Sequence, residues 1–335
     1  MQRRGKSPNP YYVGPASDHF DGVTFFNPDG QGPRSLGDLL RWQFGGGRVR
    51  WPRAWPSPFP PARTDATVAQ GRLRVTMVGH ATLLVQVHGL NILTDPVWSE
   101  RVSPLSFIGP KRVNAPGIAF ADLPRIDLVL LSHNHYDHLD LVTLARLKAA
   151  HDPLVITPLG NEAIIRAGVP NMRIETRDWG ASVEAKGATV HVEPAHHWSA
   201  RGGRDRSMAL WCGFVVEAPS AKVYFAGDTG FHQGRGYKAI AERHGGFRLA
   251  ILPIGAYEPR WFMEAQHQNP EEAVEAMQLC NAAFAAACHW GTFHLTNEAI
   301  DEPRQRLFAA LDAGGIERER FRPMLPGEVW DVPAT

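Results

Sequence analysis

The sequence predicts an α/β or α+β chain with a layered sheet core. Three observations predict it: short β-rich runs recur between residues 71 and 288, helical stretches fall between them, and no linker or repeat divides that part of the chain. Strands that precede and alternate with helices must bury their apolar faces against neighbouring layers, so stacked layers follow.

In chain order, LRVTMV (73–78), TLLVQV (82–87) and LNILTD (90–95) are β-rich runs parted by Gly-containing turns. DLVLLS (127–132) is continuously apolar, as a strand covered on both faces is. DLVTLARLKAA (140–150) sets Leu141, Leu144 and Leu147 at helical spacing. LVIT (154–157), ATVHVE (188–193), LWCGFVVE (210–217), KVYFAG (222–227), RLAILPI (248–254) and FAAAC (284–288) continue the strand series. Helices are expected at 160–167, 234–244, 270–281 and 296–313, with a short one near 35–44. Pro270 followed by Glu271 and Glu272 suits a first helical turn, since proline needs no N–H partner there and the acids oppose the dipole.

Residues 1–20 read as a loose arm, 21–70 as a Pro- and Trp-rich extension packed on the core, and 71–335 as a single catalytic domain. Within the extension, residues 41–61 interleave Trp42, Trp51, Trp55 and Phe59 with four arginines. Aromatic and basic residues favour lipid headgroups, so this stretch carries the alternative of peripheral membrane contact.

The 335 residues are 44% hydrophobic and 21% charged, with a formal net charge of +1. That balance provides no global field for nucleic acid, and no basic aromatic RNA module is present. Three cysteines, Cys212, Cys280 and Cys288, do not make a disulfide framework and fit a reducing compartment. The basic N-terminus is followed by no apolar stretch of the secretory kind, and no apolar run is long enough to span a bilayer. The expectation is a soluble cytoplasmic protein.

The chemistry concentrates at strand ends. LSHNHYDHLD (131–140) brings His133, His135, Asp137 and His138 directly after a strand and before a helix. Side chains alternate along an extended segment, so His133 and His135 point the same way, and the turn into the helix brings Asp137 and His138 to a neighbouring point. One ion on the first pair and a second on the other is the natural partition, and imidazole and carboxylate ligands suit zinc. EPAHHWSAR (193–201) offers His196 or His197 after another strand, YFAGDTGFH (224–232) a carboxylate at Asp228, and AACHWGTFH (286–294) an imidazole at His289. Strand ends along one sheet edge assemble a site from distant sequence.

The order His-x-His-x-Asp-His, then His, Asp and His after successive strands, resembles the metallo-β-lactamase-fold hydrolases. Within them, VGHATLLVQVHGLNILTDPVWSERVSP, LSHNHYDHLD, PAHHWSAR, FAGDTGFH, PIGAYEPRWFMEAQHQNPEEAVEA and HWGTFHLTNE resemble the N-acylphosphatidylethanolamine-hydrolysing phospholipase D family and its bacterial relatives. DHFDGVTFFNP (18–28) also resembles that family's leader, so the likeness spans nearly the whole chain. The resemblance implies a four-layer αββα sandwich. It implies two Zn2+ per chain, with Mn2+ or Fe as alternatives: His133, His135 and His197 on one ion, Asp137, His138 and His289 on the other, and Asp228 bridging. His197 is chosen over His196 because the family's ligand directly precedes an aromatic residue, here Trp198. Di-iron redox relatives carry Glu at the second His of the motif, so His135 favours hydrolysis. His267 matches a His near the metals, suited to binding the substrate phosphate or protonating the leaving group. A homodimer is also what the resemblance implies.

Two adjacent cations bring the pKa of a shared water toward about 7, which yields the hydroxide for attack on phosphorus or a carbonyl carbon. Asp137 and Asp228 are expected to orient it. The expected function is a phosphodiesterase of the phospholipase D type acting on lipid or lipid-like phosphodiesters. The alternatives are a lactonase or amidohydrolase of the same fold and a non-catalytic metal-binding protein of the membrane surface. Tyr136, Tyr257, Trp261 and Arg201 are expected at the substrate, with Arg204 and Arg206 as further phosphate candidates. An apolar groove is expected from Val97, Trp98, Leu105, Phe107 and Ile108 or from Phe262 and Met263. His294 and Asp140 are expected to orient ligands, and Cys288 to be a buried core thiol.

Overall fold

The computed structural model describes residues 8–29 and 31–335; the first seven residues of the expected arm and Gly30 lie outside the described residues. The centre is a pair of seven-stranded sheets. The first holds β1 (Leu73–Gly79), β2 (Thr82–Val87), β3 (Leu90–Thr94), β4 (Leu128–Leu130), β5 (Leu154–Pro158) and β6 (Arg173–Arg177). The second holds β7 (Ser182–Ala185), β8 (Ala188–Glu193), β9 (Gly213–Ala218), β10 (Ala221–Phe225), β11 (Phe247–Pro253), β12 (Ala282–Cys288) and β13 (Phe321–Arg322). A final strand, β14 (Val329–Val332), returns to pair antiparallel with β1 in the first sheet. Each sheet is antiparallel in one half and parallel in the other: β1 to β3 and β7 to β10 run as antiparallel neighbours, β3 to β6 and β10 to β13 as parallel ones.

The period-two alternation decides the layers. Val75, Val85, Ile92 and Leu130 of the first sheet meet Val190, Phe214, Phe225 and Ile251 of the second in one buried core between the sheets. The alternate residues face outward onto helices. Leu84, Leu93, Val129 and Val155 pack under α2 (Leu141–His151) and α3 (Asn161–Gly168) through Leu144, Leu147, Ile164 and Ile165. Tyr224, Ala250 and Leu252 pack under three other helices. With α1 (Leu36–Phe44) and the single-turn α5 (Arg260–Met263) counted in chain order, these are α4 (Arg235–His244), α6 (Pro270–Leu279) and α7 (Glu302–Ala313). The result is the expected four-layer αββα sandwich. Cys288 lies in the inter-sheet core, where burial pushes its thiol pKa up.

Differences from the sequence reading have local causes. The expected strand over 210–217 begins only at Gly213, because the Cys212 N–H donates to Ser132 O outside the ladder. The helix expected over 296–313 starts at Glu302: Thr296 and Glu298 are tied into a loop in which Glu298 accepts from the Ala256 and Glu258 N–H groups. From residue 8 onward the N-terminal segment lies against the domain. Asn9 donates to Val23 O and Met208 O, and Phe20 and Phe25 are buried with Trp211. Over 41–61, Trp42 stacks on Phe262, Trp51 on His294 and Trp55 edge-on to Trp290, so all three indoles are engaged within the chain. No helix among the described residues is long and apolar enough to cross a membrane.

Candidate metal centre

Six strand ends converge at one end of the sandwich. β4 leads into His133, His135, Asp137 and His138; β8 leads to His197, β10 to Asp228 and β12 to His289, while His80 follows β1 and Asp95 follows β3. The turn after β10 requires glycine: Gly227 has φ 62, and a Cβ there would lie 2.7 Å from Cys212 O and 2.9 Å from the Ser132 Cβ. That close approach brings Asp228 over the ends of both sheets.

The side chains form two groups. In one, His133 Nε2 lies 2.8 Å and His197 Nε2 3.3 Å from His135 Nδ1. In the other, Asp137 Oδ2 lies 2.9 Å from His80 Nε2, 3.2 Å from His289 Nε2 and 3.5 Å from His138 Nε2. Asp228 Oδ2 reaches both: 3.0 Å to His138 Nε2, 3.1 Å to His289 Nε2, 3.8 Å to His197 Nε2 and 3.9 Å to His133 Nε2.

Hydrogen bonds behind the rings fix which nitrogens carry protons. His197 Nδ1 donates to Gln266 O at 3.0 Å, a carbonyl that can only accept. His138 Nδ1 donates to Asp95 Oδ2 at 2.6 Å. The Ser132 hydroxyl donates to Asp95 Oδ2 at 2.6 Å, so its oxygen accepts from His133 Nδ1 at 2.9 Å. In the neutral rings of His133 and His197 the bare Nε2 lone pairs therefore converge, and the Nδ1 bond of His138 turns its Nε2 toward the same point. Nitrogens and carboxylate oxygens packed this closely, with Asp228 Oδ1 buried and without a hydrogen-bond partner, fit cations between them.

The electrostatics differ between the groups. Burial, reinforced by neighbouring imidazoles, lowers His133 and His197 well below the ordinary histidine value and puts His135 at about 4. Burial also opposes charge on His289, yet Asp228 and Asp137 hold it up at about 9, and Asp228, Asp137 and Asp95 likewise raise His138. Burial would raise Asp137 and Asp228, but the facing imidazoles hold both carboxylates well below their usual range.

A family model described as the β-lactamase superfamily domain matches residues 90–290. The chain is 39% identical over 277 residues to the N-acyl-phosphatidylethanolamine-hydrolyzing phospholipase D 1 of Caenorhabditis elegans, covering 79% of this chain and 77% of that one. The chain belongs to the β-lactamase superfamily. It is also 29% identical to a UPF0173 metal-dependent hydrolase of Pyrobaculum neutrophilum, over 77% of this chain and 99% of that protein. Among solved structures, Igni18, a metallo hydrolase from Ignicoccus hospitalis, matches with a TM-score of 0.57 at 22% identity, over 79% of this chain and 100% of that chain, a likeness of fold. The protein is a metal-dependent hydrolase of this superfamily.

In this hydrolase the seven residues singled out as ligands are all brought together, and His267 joins them. Its Nδ1 lies 4.0 Å from Asp228 Oδ2, and its ring stacks on His289. Burial lowers its pKa to about 4. Arg260 holds this loop by donating to His267 O and pairing with Glu272.

The four expected substrate contacts each have partners within the chain. Arg201 Nη1 donates to Asn134 O and Leu139 O, and its guanidinium covers the Tyr136 ring at 3.9 Å, so the pair clasps the 133–140 loop. Tyr257 is buried and donates its hydroxyl to Glu302. Trp261 lies at the surface against Phe262 and Arg41. Arg206 covers Trp198, and Arg204 is exposed. Of the expected groove, Val97, Trp98, Phe262 and Met263 are buried in packing, whereas Leu105, Phe107 and Ile108 are exposed. His294 stacks on Trp51, and Asp140 caps α2 by accepting from the Val142 and Thr143 N–H groups.

His80 and Asp95 are two further residues of the site that no clustering in the sequence singles out. Both follow strands in the quoted motifs and both have positive φ, 58 and 31, which directs them back to the sheet edge. Burial puts His80 at about 3, so it is neutral and donates its Nε2–H to Asp137.

Proposed function

We propose that this hydrolase is a dinuclear-metal phosphodiesterase of the phospholipase D type, acting on N-acylphosphatidylethanolamine-like lipids or related phosphodiesters. The observation that carries the reading is Asp228, whose Oδ2 lies within 3.9 Å of histidines in both groups. His133, His135 and His197 would hold one ion, Asp137, His138 and His289 the other, and Asp228 both. Two histidine-rich sets with carboxylates suit zinc. Two such ions would supply a water of lowered pKa and neutralise charge developing on a phosphoryl oxygen.

The protein's own groups divide the remaining work. His80 and Asp95 hold Asp137 and His138 in register. His267, neutral and with Nδ1 aimed at the cluster, is placed to donate a hydrogen bond to a substrate phosphoryl oxygen. The clasp of Arg201 on Asn134 and Leu139 keeps the motif loop closed. A lipid substrate is supported by likeness to the nematode phospholipase D and by the surface of α1. Leu36, Leu40 and Phe44 are 66%, 50% and 86% exposed and follow one another at helical spacing. Arg34 and Arg50 are exposed nearby, an arrangement suited to an anionic lipid surface.

The test pairs metal content with turnover. Wild type should carry two ions at this cluster and hydrolyse a bis-aryl phosphodiester and N-acylphosphatidylethanolamine in vesicles. Asp228→Ala should lose turnover on both by at least about 10²–10³-fold, the order of loss when one element of transition-state electrostatic stabilisation is removed, because the ions that supply it would lose their shared ligand. Ions without phosphodiester turnover would move the assignment to the lactonase or amidohydrolase alternative. Leu40→Asp should leave the soluble substrate unaffected and weaken vesicle turnover several-fold.

A further inference from the structure

Among the described residues, one group of side chains outside the central cluster joins the N-terminal segment to the loops of the metal centre and has the make-up of a metal site. Asp29 comes from the N-terminal segment, His196 from the loop after β8 and His232 from the loop after β10. Their ligand atoms lie close together: His196 Nε2 is 2.8 Å and His232 Nε2 2.5 Å from Asp29 Oδ2. The two imidazoles stack with centroids 4.5 Å apart and planes 12° apart. All three are partly shielded, with side-chain exposures of 23%, 12% and 18% for Asp29, His196 and His232. They line a cavity of about 450 Å³ with Trp179, Ala195 and Phe231.

The hydrogen bond behind His196 is the second observation. Its Nδ1 lies 2.7 Å from Ala265 O, which can only accept, so that nitrogen carries the ring proton. The Nε2 lone pair then faces a carboxylate at 2.8 and 3.0 Å. With the ring neutral, that contact needs a metal cation shared by nitrogen and carboxylate; with the ring charged, a second ring proton makes it. A carbonyl fixing the tautomer while the other nitrogen faces a carboxylate is the backing that metal-binding histidines use. A tetrahedral zinc site with bonds of about 2.0–2.1 Å separates its ligand atoms by roughly 3.3 Å, so closing this triad on an ion needs shifts of less than about 1 Å.

We infer that Asp29, His196 and His232 form a separate zinc-type cation site, with a fourth position left to water or a small anion. It acts as a clip. Asp29 belongs to the N-terminal segment, while His196 adjoins His197 and His232 follows Asp228 by four residues. One ion would therefore lock the segment against the two loops that present those central residues.

The test compares bound zinc per chain, by elemental mass spectrometry after equilibration and desalting, in wild type, Asp29→Asn and His232→Gln. Each variant should hold one ion fewer than wild type while keeping turnover of the soluble phosphodiester, and its N-terminal segment should be cut faster in limited proteolysis. Because a difference is read, the count at the central cluster can take any value, and failure of the dinuclear assignment leaves this result standing. Equal counts in all three proteins would overturn the inference, leaving a proton as what joins the triad. A loss of more than one ion together with turnover, in both variants, would also overturn it, since the residues would then act through the central cluster.

Discussion

On one side of Asp228, His133, His135 and His197 face one another with no carboxylate of their own; on the other, His138 and His289 also share Asp137. The first group is a set of lone pairs depressed by burial, the second a set of ion pairs in which carboxylates hold two imidazoles charged. The same ligand types thus present an incoming cation with opposite conditions. On the first side it meets bare nitrogens; on the second it must displace protons.

Among the residues that back the ligands, Asp95 reaches both sides, so its change should have the largest effect of these. It accepts directly from His138 and, through the Ser132 hydroxyl, fixes His133. Asp95→Asn keeps the shape but removes an acceptor, and loss of such an outer partner typically costs about 10–100-fold in metal affinity or activity. Competition with a graded chelator should show both ions leaving earlier. If only one ion loosens, Asp95 does not couple the halves.

Two smaller changes should separate them. Ser132→Ala leaves His133 Nδ1 buried without its acceptor, a penalty of about 1–3 kcal/mol that falls on the first group. His80→Ala removes the donor to Asp137 and falls on the second. Each should weaken retention of one ion roughly several-fold to tenfold, and of a different ion. Cobalt substitution read by absorption would tell the sites apart, and identical spectral changes in the two variants would sink the division.

The unequal legibility of these residues has a physical basis. His133, His135, Asp137 and His138 fall within one strand-to-helix junction, so local geometry alone made them a pair of adjacent points. His80 and Asp95 stand singly at strand ends, where a lone polar residue commonly caps a turn, and only the assembled sheet edge shows what they support. The same holds for the fold. Strands such as β2 and β11, buried on both faces, write themselves in apolar runs. The edge strands β6 and β7 are half-covered or alternate with exposed residues, and read as loop. The aromatic content of Tyr257 and Trp261 signals apolar contact but not where it falls; one is buried with its hydroxyl on Glu302 and the other lies at the surface.

The finest consequence of the contrast is in the pH dependence of stability without metal. An ordinary histidine titrates near 6.5 in an unfolded chain. His289 folds with its pKa raised to about 9, so the folded state holds the proton more tightly between these values. Its contribution is fully present below 6.5 and is lost as pH rises through about 9. His135, lowered to about 4, has the opposite sign: between 6.5 and 4 the unfolded state binds the proton more readily, and stability falls as the solution is acidified. His80, at about 3, adds to that acid limb. The chelator-stripped protein should therefore melt highest near pH 6.5 and lower on both sides, the alkaline limb belonging to the carboxylate-rich group and the acid limb to the imidazole-rich one. Calorimetry from pH 4.5 to 9.5 would show this. Loading with zinc should flatten the alkaline limb, because an ion then occupies the position that the His289 proton held, and should steepen the acid limb, because protons then compete with the ion for every ligand. A stripped protein whose melting temperature climbs steadily through pH 9 would mean that His289 is neutral, and that the two sides of Asp228 are electrostatically alike.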